Sequence, residues 1–105
     1  MTFYKILDLE IDTFIIAMIY IDQINISGIP LTTENYFLLL YTSLMISQKL
    51  WEDITFLHED YAKFINLEPC KLSELEISFL EKLDYKLFIE ETLYREYLKY
   101  YQLFN

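Results

Sequence analysis

Turn-forming residues are scarce in this chain, and their scarcity excludes most β-sheet folds. Only one glycine and two prolines occur among 105 residues. β-sandwiches and β-barrels depend on frequent tight turns, which glycine and proline favour. The apolar residues instead recur at the three- and four-residue spacing of helices. We therefore predict an all-α fold, and the length suits one domain over residues 1–105.

Five segments carry this helical periodicity. We expect helices over about residues 12–24, 32 or 33 to 49, 58–65, 69–83 and from 91 or 92 onward. A turn is expected over 25–30, which contains the only glycine. The second helix is apolar around nearly its whole circumference, so we expect other elements or a partner to cover it on every side.

Two features compete as the start of the fourth helix. Ser73 followed by Glu76 has the spacing of a capping box, whereas Pro69 suits the first helical position. We favour Pro69, because a helix that begins there carries one continuous apolar stripe. For the second helix, the hydroxyl of Thr32 or Thr33 is the expected N-terminal cap.

Charge and the absence of long apolar runs argue against several classes of partner. Seventeen acidic and eight basic residues give a net charge of −9, which repels the phosphates of nucleic acids. The longest run without a charge, residues 35–48, is shorter than the roughly 20 residues that cross a bilayer. The N-terminus shows no secretory signal. We expect no nucleic-acid or membrane partner and an intracellular location.

Residues that could carry chemistry are few. Cys70 and His58 are each the only residue of their kind, so neither an internal disulfide nor a histidine-rich metal site can form. A lone cysteine also fits a reducing compartment. No nucleophile with a base can be assembled from the sequence. We therefore predict no catalytic residues, no metal and no cofactor.

Three stretches of the sequence together identify a family. They are F-I-I-A-M-I-Y-I-D (14–22), L-L-L-Y-T-S-L-M-I-S-Q-K-L-W-E-D (38–53) and L-S-E-L-E-I-S-F-L-E-K-L-D-Y-K-L (72–87). In this order they resemble the second, third and fifth helices of the cyclin box, a five-helix module that binds and activates cyclin-dependent kinases. Trp-Glu-Asp after the lysine and Leu-Asp-Tyr at the exit resemble the single-box cyclins of phosphate regulation, called P- or U-type in plants. The resemblance covers about residues 9–100.

The resemblance implies roles for particular residues. The family's kinase-contacting lysine falls on Lys49 and its kinase-contacting glutamate on Glu76. In the family, these two residues form hydrogen bonds with main-chain groups of the kinase just before its mobile regulatory helix. A packing leucine of the family's third helix falls on Leu38, and the signature aspartate that ends its second helix falls on Asp22. We add Trp51 as an exposed interface anchor, because tryptophan is enriched where proteins meet.

The sequence also departs from the family pattern. Most of the family's first helix is missing, since only residues 2–10 precede the first predicted helix. Asp22 is therefore expected to lack the arginine with which the family pairs it, although Lys5 is a substitute. Gln23 stands where an arginine is common, and Ser73 where an asparagine is usual. The substrate-docking patch that some cyclins carry on the first helix cannot be assigned.

Simpler roles remain open for the same residues. Lys49 can neutralise the negative C-terminal dipole of its helix. Glu76 can be a solvated edge charge or the internal partner of Lys49. The tyrosines of the last helix (Tyr94, Tyr97, Tyr100 and Tyr101) are too widely spread around it to be all internal, and we expect them to form a shallow boundary layer or a frayed end.

The resemblance implies a non-catalytic regulatory subunit whose partner is the catalytic subunit of a cyclin-dependent kinase. A divergent or truncated helical adaptor or homodimer is an alternative, with the exposed aromatic residues as its interface. A cyclin fold that contacts DNA is a second alternative, against which the charge of −9 argues. Because part of the first helix is missing, we expect marginal stability or self-association when the kinase is absent.

Overall fold

The computed structural model describes residues 10–26, 33–52 and 55–103. Within these ranges the chain forms five helices and no strand. They are α1 (Ile11–Ile26), α2 (Thr33–Trp51), α3 (His58–Phe64), α4 (Pro69–Lys82) and α5 (Glu91–Leu103). The predicted all-α fold is confirmed, and the helix ends lie within two residues of those expected. The predicted turn over 25–30 begins two residues too early, because α1 continues to Ile26. Residues 27–30 of that turn and the capping side chains of Thr32 and Thr33 lie outside the described residues.

Helix α2 lies at the centre of the fold and runs antiparallel to α1. Ser43 Oγ donates a hydrogen bond of 2.7 Å to the carbonyl of Ala17, and Ser47 Oγ donates one of 2.7 Å to the carbonyl of Thr13. The two serines are four residues apart on α2, and their two acceptors are four residues apart on α1. One face of α2 therefore lies along one face of α1. Ala17 is fully buried and allows the two helices to approach closely.

The cover of α2 is less complete than its composition suggests. Every residue from Tyr41 to Gln48 is buried, as expected for a central helix. Nearer its start, however, Tyr36 is 45% exposed and Phe37 is 49% exposed. The expected cover on every side therefore holds for the middle of the helix and not for its ends, since Leu50 and Trp51 are also exposed.

Three tyrosines are among the largest fully buried side chains, and each hydroxyl has an acceptor. Tyr20 donates to the carbonyl of Leu87 at 2.8 Å, and Tyr41 donates to the carbonyl of Tyr61 at 2.6 Å. Tyr61 donates to Oε1 of Gln48 at 2.6 Å. A buried hydroxyl without a partner costs free energy, so these bonds allow the core to hold polar aromatic residues.

Helix α4 begins at the proline, as predicted. Glu68 is its N-cap residue with extended backbone, and Pro69 occupies the first turn. Ser73 does not cap the helix, because its hydroxyl donates to the carbonyl of Pro69 at 3.1 Å. Leu72 and Phe79 on the inner face of α4 are buried.

Helices α3 and α4 end without glycine. Asn66 and Asp84 follow the C-cap residues with φ angles of 55° and 56°. After each, the next residue closes the helix: the Leu67 N–H donates to the carbonyl of Ala62 at 2.9 Å, and the Tyr85 N–H donates to that of Leu80 at 2.9 Å. This is the Schellman pattern, in which asparagine or aspartate can replace glycine at the left-handed position. These two endings explain how a chain so poor in glycine can turn.

Helix α5 packs against α1 without burying any of its own residues completely. Two hydrogen bonds from its tyrosines connect it to α1. The hydroxyl of Tyr94 donates to Oδ1 of Asp12. The hydroxyl of Tyr97 donates to Oδ2 of Asp22 at 2.6 Å. Tyr94 and Tyr97 are half-buried, whereas Tyr100 is 64% exposed. The tyrosines therefore form the boundary layer that the sequence suggested.

Candidate functional site

Lys49 and Glu76 form an ion pair at the surface between α2 and α4. Nζ of Lys49, in the last turn of α2, lies 3.2 Å from Oε2 and 3.4 Å from Oε1 of Glu76. The two side chains are 25% and 24% exposed. The two residues singled out from the sequence therefore meet, and both remain accessible from outside. The internal pairing that the sequence left open is present; contact with a partner remains a prediction.

His58, at the start of α3, fixes the position of the lysine. Nζ of Lys49 lies 3.0 Å from Nδ1 of His58, and because an ammonium has no acceptor atom, Lys49 donates this bond. The other ring nitrogen, Nε2, then carries the proton and lies 2.9 Å from the carbonyl of Pro69 and 2.9 Å from Oγ of Ser73. The imidazole thus connects the last turn of α2 to the first turn of α4.

The ring of Tyr61 lies beneath the ammonium of Lys49, with 5.4 Å between Nζ and the ring centroid. At this distance the ring face attracts the cation. Burial is the main cause that raises the pKa of Tyr61 to about 12, so its phenol stays neutral at physiological pH. Three groups therefore hold the lysine: the carboxylate of Glu76, the imidazole of His58 and the ring of Tyr61.

Leu38 lies further along the seam between α2 and α4. It lines a cavity of about 240 Å³ together with Leu39, Leu75 and Phe79. Eleven residues separate it from Lys49, which corresponds to about 16 Å along the axis of α2. The structure therefore does not bring Leu38 to the ion pair.

Trp51 lies on another side of α2 from Lys49. Two residues turn a helix by about 200°, so the two side chains leave α2 in nearly opposite directions. The indole Nε1–H of Trp51 donates to the hydroxyl of Tyr20 on α1 at 3.1 Å. Trp51 is 48% exposed, as predicted, but it does not share the surface of the ion pair.

Asp22 has a partner that the sequence did not suggest. Its carboxylate accepts the bond from the hydroxyl of Tyr97 on α5. The expectation that Asp22 lacks the family's arginine stays a prediction. Lys5, the suggested substitute partner, lies outside the described residues.

The part of the chain that the structure describes contains neither a cluster suited to a metal ion nor a helix suited to a bilayer. No group of three histidine, cysteine or acidic side chains there is placed to hold a metal ion. Among the described helices, none combines the length and apolar character needed to span a bilayer.

Comparison with known proteins identifies the family. The model of the family described as Cyclin matches residues 4–87, which is most of the chain. The chain belongs to the cyclin family. This cyclin is 31% identical over 86 residues to Cyclin-U2-1 of Arabidopsis thaliana, covering 80% of this chain and 39% of that protein. To Cyclin-U2-2 of the same plant it is 32% identical over 87 residues, covering 80% and 37%.

A rice relative extends the similarity to the P type. Cyclin-P2-1 of Oryza sativa subsp. japonica is 24% identical over 88 residues, covering 83% of this cyclin and 41% of that protein. The chain thus spans about two-fifths of the length of these relatives. No solved structure matches this cyclin. The relatives confirm the resemblance to single-box cyclins of the U and P types, and the helices are those of an all-α cyclin box.

Proposed function

We propose that this cyclin is a non-catalytic regulatory subunit that binds and activates a cyclin-dependent protein kinase. Membership of the cyclin family supports the class of partner. The observation that carries the proposal is the accessible ion pair of Lys49 and Glu76, at the two positions that the family uses to contact its kinase. The kinase supplies all of the chemistry.

The ion pair retains hydrogen-bonding capacity for a partner. An ammonium has three donors, and Nζ of Lys49 lies within hydrogen-bonding distance of three acceptors, Nδ1 of His58 and both carboxylate oxygens of Glu76. A carboxylate offers about four lone-pair positions, and Glu76 uses them only in part. A main-chain N–H of a kinase can therefore donate to Glu76, while a main-chain carbonyl can replace the longest bond of Lys49, the one of 3.4 Å to Oε1 of Glu76.

Exposed apolar side chains lie next to these polar groups in the sequence. Leu50 follows Lys49 and is 48% exposed, Leu57 precedes His58 and is 69% exposed, and Ile77 follows Glu76 and is 52% exposed. Interfaces between proteins commonly combine an apolar centre with a few fixed polar groups. The sequence neighbours of Lys49, His58 and Glu76 thus include exposed apolar side chains that a partner could bury. Leu38 and Trp51 remain sequence predictions, and the proposal does not depend on them.

Activation follows from differential affinity. A kinase whose regulatory helix moves between two positions shifts toward the position that the cyclin binds more tightly. Because Glu76, His58 and Tyr61 already hold Lys49, little side-chain entropy is lost when a kinase binds. A preformed surface of this kind selects one position of the kinase helix.

Reconstitution with candidate kinases tests the proposal. Binding and kinase activity are measured for the wild type, Lys49→Glu and Glu76→Lys, with Lys99→Glu at an exposed position of α5 as the control. We expect either reversal at the ion pair to abolish both signals and the control to preserve them. Helicity from circular dichroism establishes that the variants fold. Undiminished binding by both reversals contradicts the assignment of this surface.

A further inference from the structure

An open cleft of about 500 Å³ lies beside Trp51, between α1, the end of α2 and the chain that leads into α5. We call it the tryptophan cleft. Its apolar wall includes Trp51, Phe88 and Ile89, and its rim includes Glu10, Asp12 and Glu91. The residues of the ion pair do not line it.

In the wall of the tryptophan cleft, the indole of Trp51 is held before any ligand arrives. Trp51 donates its indole N–H to the hydroxyl of Tyr20, and that hydroxyl donates in turn to the carbonyl of Leu87. Yet 48% of Trp51 and 79% of Phe88 are exposed. A held indole with a free surface binds at a low entropic cost. The cleft therefore offers preorganised apolar area of a kind that is enriched in protein interfaces.

The rim of the cleft is strongly acidic. Three carboxylates line it, and the backbone N–H of Glu10 lies 3.4 Å from Oε2 of Glu52, which brings a fourth nearby. Only Glu91 has a cationic partner in the described chain, Arg95 at 2.5 Å. Asp12 lies in the first turn of α1 and accepts a bond from the neutral hydroxyl of Tyr94, and no lysine or arginine pairs with it in the described chain. No lysine or arginine belongs to the described lining of the cleft.

These charges select the occupant. We infer that the tryptophan cleft docks a cationic segment of a partner protein, in which an arginine or lysine lies next to a bulky apolar side chain. The apolar side chain would bury against Phe88 and Ile89, and the cation would meet the carboxylates and the face of Trp51. A second copy of this chain, with its net charge of −9, would be repelled.

The inference goes beyond the proposed kinase function and uses a different surface. The cleft involves α1, Trp51 and the start of α5, whereas the ion pair lies between α2 and α4. Of its described lining, only Glu10 belongs to residues 2–10, the remnant of the family's first helix, on which some cyclins carry their substrate-docking patch. Docking here therefore leaves the ion pair accessible to a kinase.

Trp51 itself provides the measurement, because it is the only tryptophan in the chain. Three capped decapeptides serve as probes, and each contains the same two leucines in a glycine–serine background. They differ in one respect: the first carries three arginines, the second three glutamines and the third three glutamates. We expect the arginine peptide alone to give a saturable change in Trp51 emission. The affinity should fall as salt is added, since the rim is exposed.

Matched variants locate the binding. We expect the double variant Glu10→Gln with Glu91→Gln to lower the affinity for the arginine peptide by about fivefold or more, the scale of one interface residue. Phe88→Ser alone should lower that affinity to a similar extent. The controls are Glu74→Gln with Glu81→Gln, and Tyr85→Ser, at exposed positions outside the cleft. They should bind as the wild type does. Lys49→Glu should also bind the peptide normally, which separates this inference from the kinase proposal.

Three results would overturn the inference. Equal binding of the three peptides would show that charge does not select the occupant. Equal weakening by the control variants would place the binding elsewhere. An emission change that follows protein concentration without any peptide would show that a second copy of the chain occupies the cleft.

Discussion

Nζ of Lys49 lies 3.0 Å from Nδ1 of His58, so the lysine that the proposal assigns to the kinase is held by a histidine as well as by Glu76. The same imidazole contacts the carbonyl of Pro69 and the hydroxyl of Ser73 in the first turn of α4. A lysine on a flexible stem is thereby held at a defined place relative to α4. His58 is thus a positioning residue for the proposed interface.

The first prediction tests this positioning. His58→Ala should lower kinase affinity by about two- to tenfold, because ordering one side chain costs about 0.5–1.5 kcal/mol on binding. His58→Asn should restore part of the loss, since its amide oxygen can take the place of Nδ1 as an acceptor for Lys49. Glu59→Ala at the next, exposed position is the control. Wild-type affinity for His58→Ala would show that the histidine does not position Lys49.

The second prediction concerns the attachment of α5. Tyr97→Phe removes the hydroxyl that donates to Asp22 and should lower the free energy of unfolding by about 1 kcal/mol, a typical value for one hydrogen bond. Limited proteolysis should cut near α5 sooner in this variant. Tyr100→Phe, at a 64% exposed position, is the control and should change neither. Equal stability of the two variants would mean that the bond contributes nothing.

The third prediction concerns alkaline pH. Burial, followed by the hydrogen bond and charge of Asp22, raises the pKa of Tyr97 to about 12, and burial raises that of Tyr61 to about 12. An unfolded tyrosine ionises near pH 10, so the stabilisation is fully present below pH 10 and is lost as the pH rises toward 12. Tyrosinate absorbance and circular dichroism measured together should show unfolding in this window. Stability that stays constant up to pH 12 would contradict the prediction.

The fourth prediction concerns the helix endings without glycine. Asp84 has a φ of 56°, where a Cβ atom is unfavourable. Asp84→Gly should preserve or raise the melting temperature, whereas Asp84→Val should lower the free energy of unfolding by about 1–2 kcal/mol. Lys86→Val, close by in the same exposed segment, is the control. A higher stability of Asp84→Val than of Asp84→Gly would show that position 84 does not require left-handed backbone.

The sequence was informative where a local pattern determines the structure. Apolar spacing located all five described helices, because helix formation follows from burying one face. Pro69 located the start of α4, because proline fits the first turn and not the interior. Lys49 and Glu76 were found together through the family motif, since two charges 27 residues apart have no periodic relationship.

What the sequence did not reveal depends on contacts between distant residues. The bond between Tyr97 and Asp22 joins residues 75 apart, and no local pattern encodes it. His58 was considered only as a metal ligand, although its contacts with Lys49 and Ser73 depend on how three helices meet. Trp51 is different, because its position relative to Lys49 follows from the sequence. Two residues turn a helix by about 200°, which predicts that the two side chains lie on separate surfaces of α2. Although Trp51 is two positions from Lys49 in the sequence, it therefore lies on a different surface.

The most direct test of the kinase proposal is a charge exchange at the ion pair. Lys49→Glu and Glu76→Lys are compared, singly and combined, for stability and for affinity to a kinase that binds the wild type. The combined variant can pair internally again, so its stability should return toward the wild type. Its affinity should remain lost, because both charges that face the kinase are reversed. Recovery of affinity together with stability would show that the pair acts only within this cyclin, and would contradict the proposed interface.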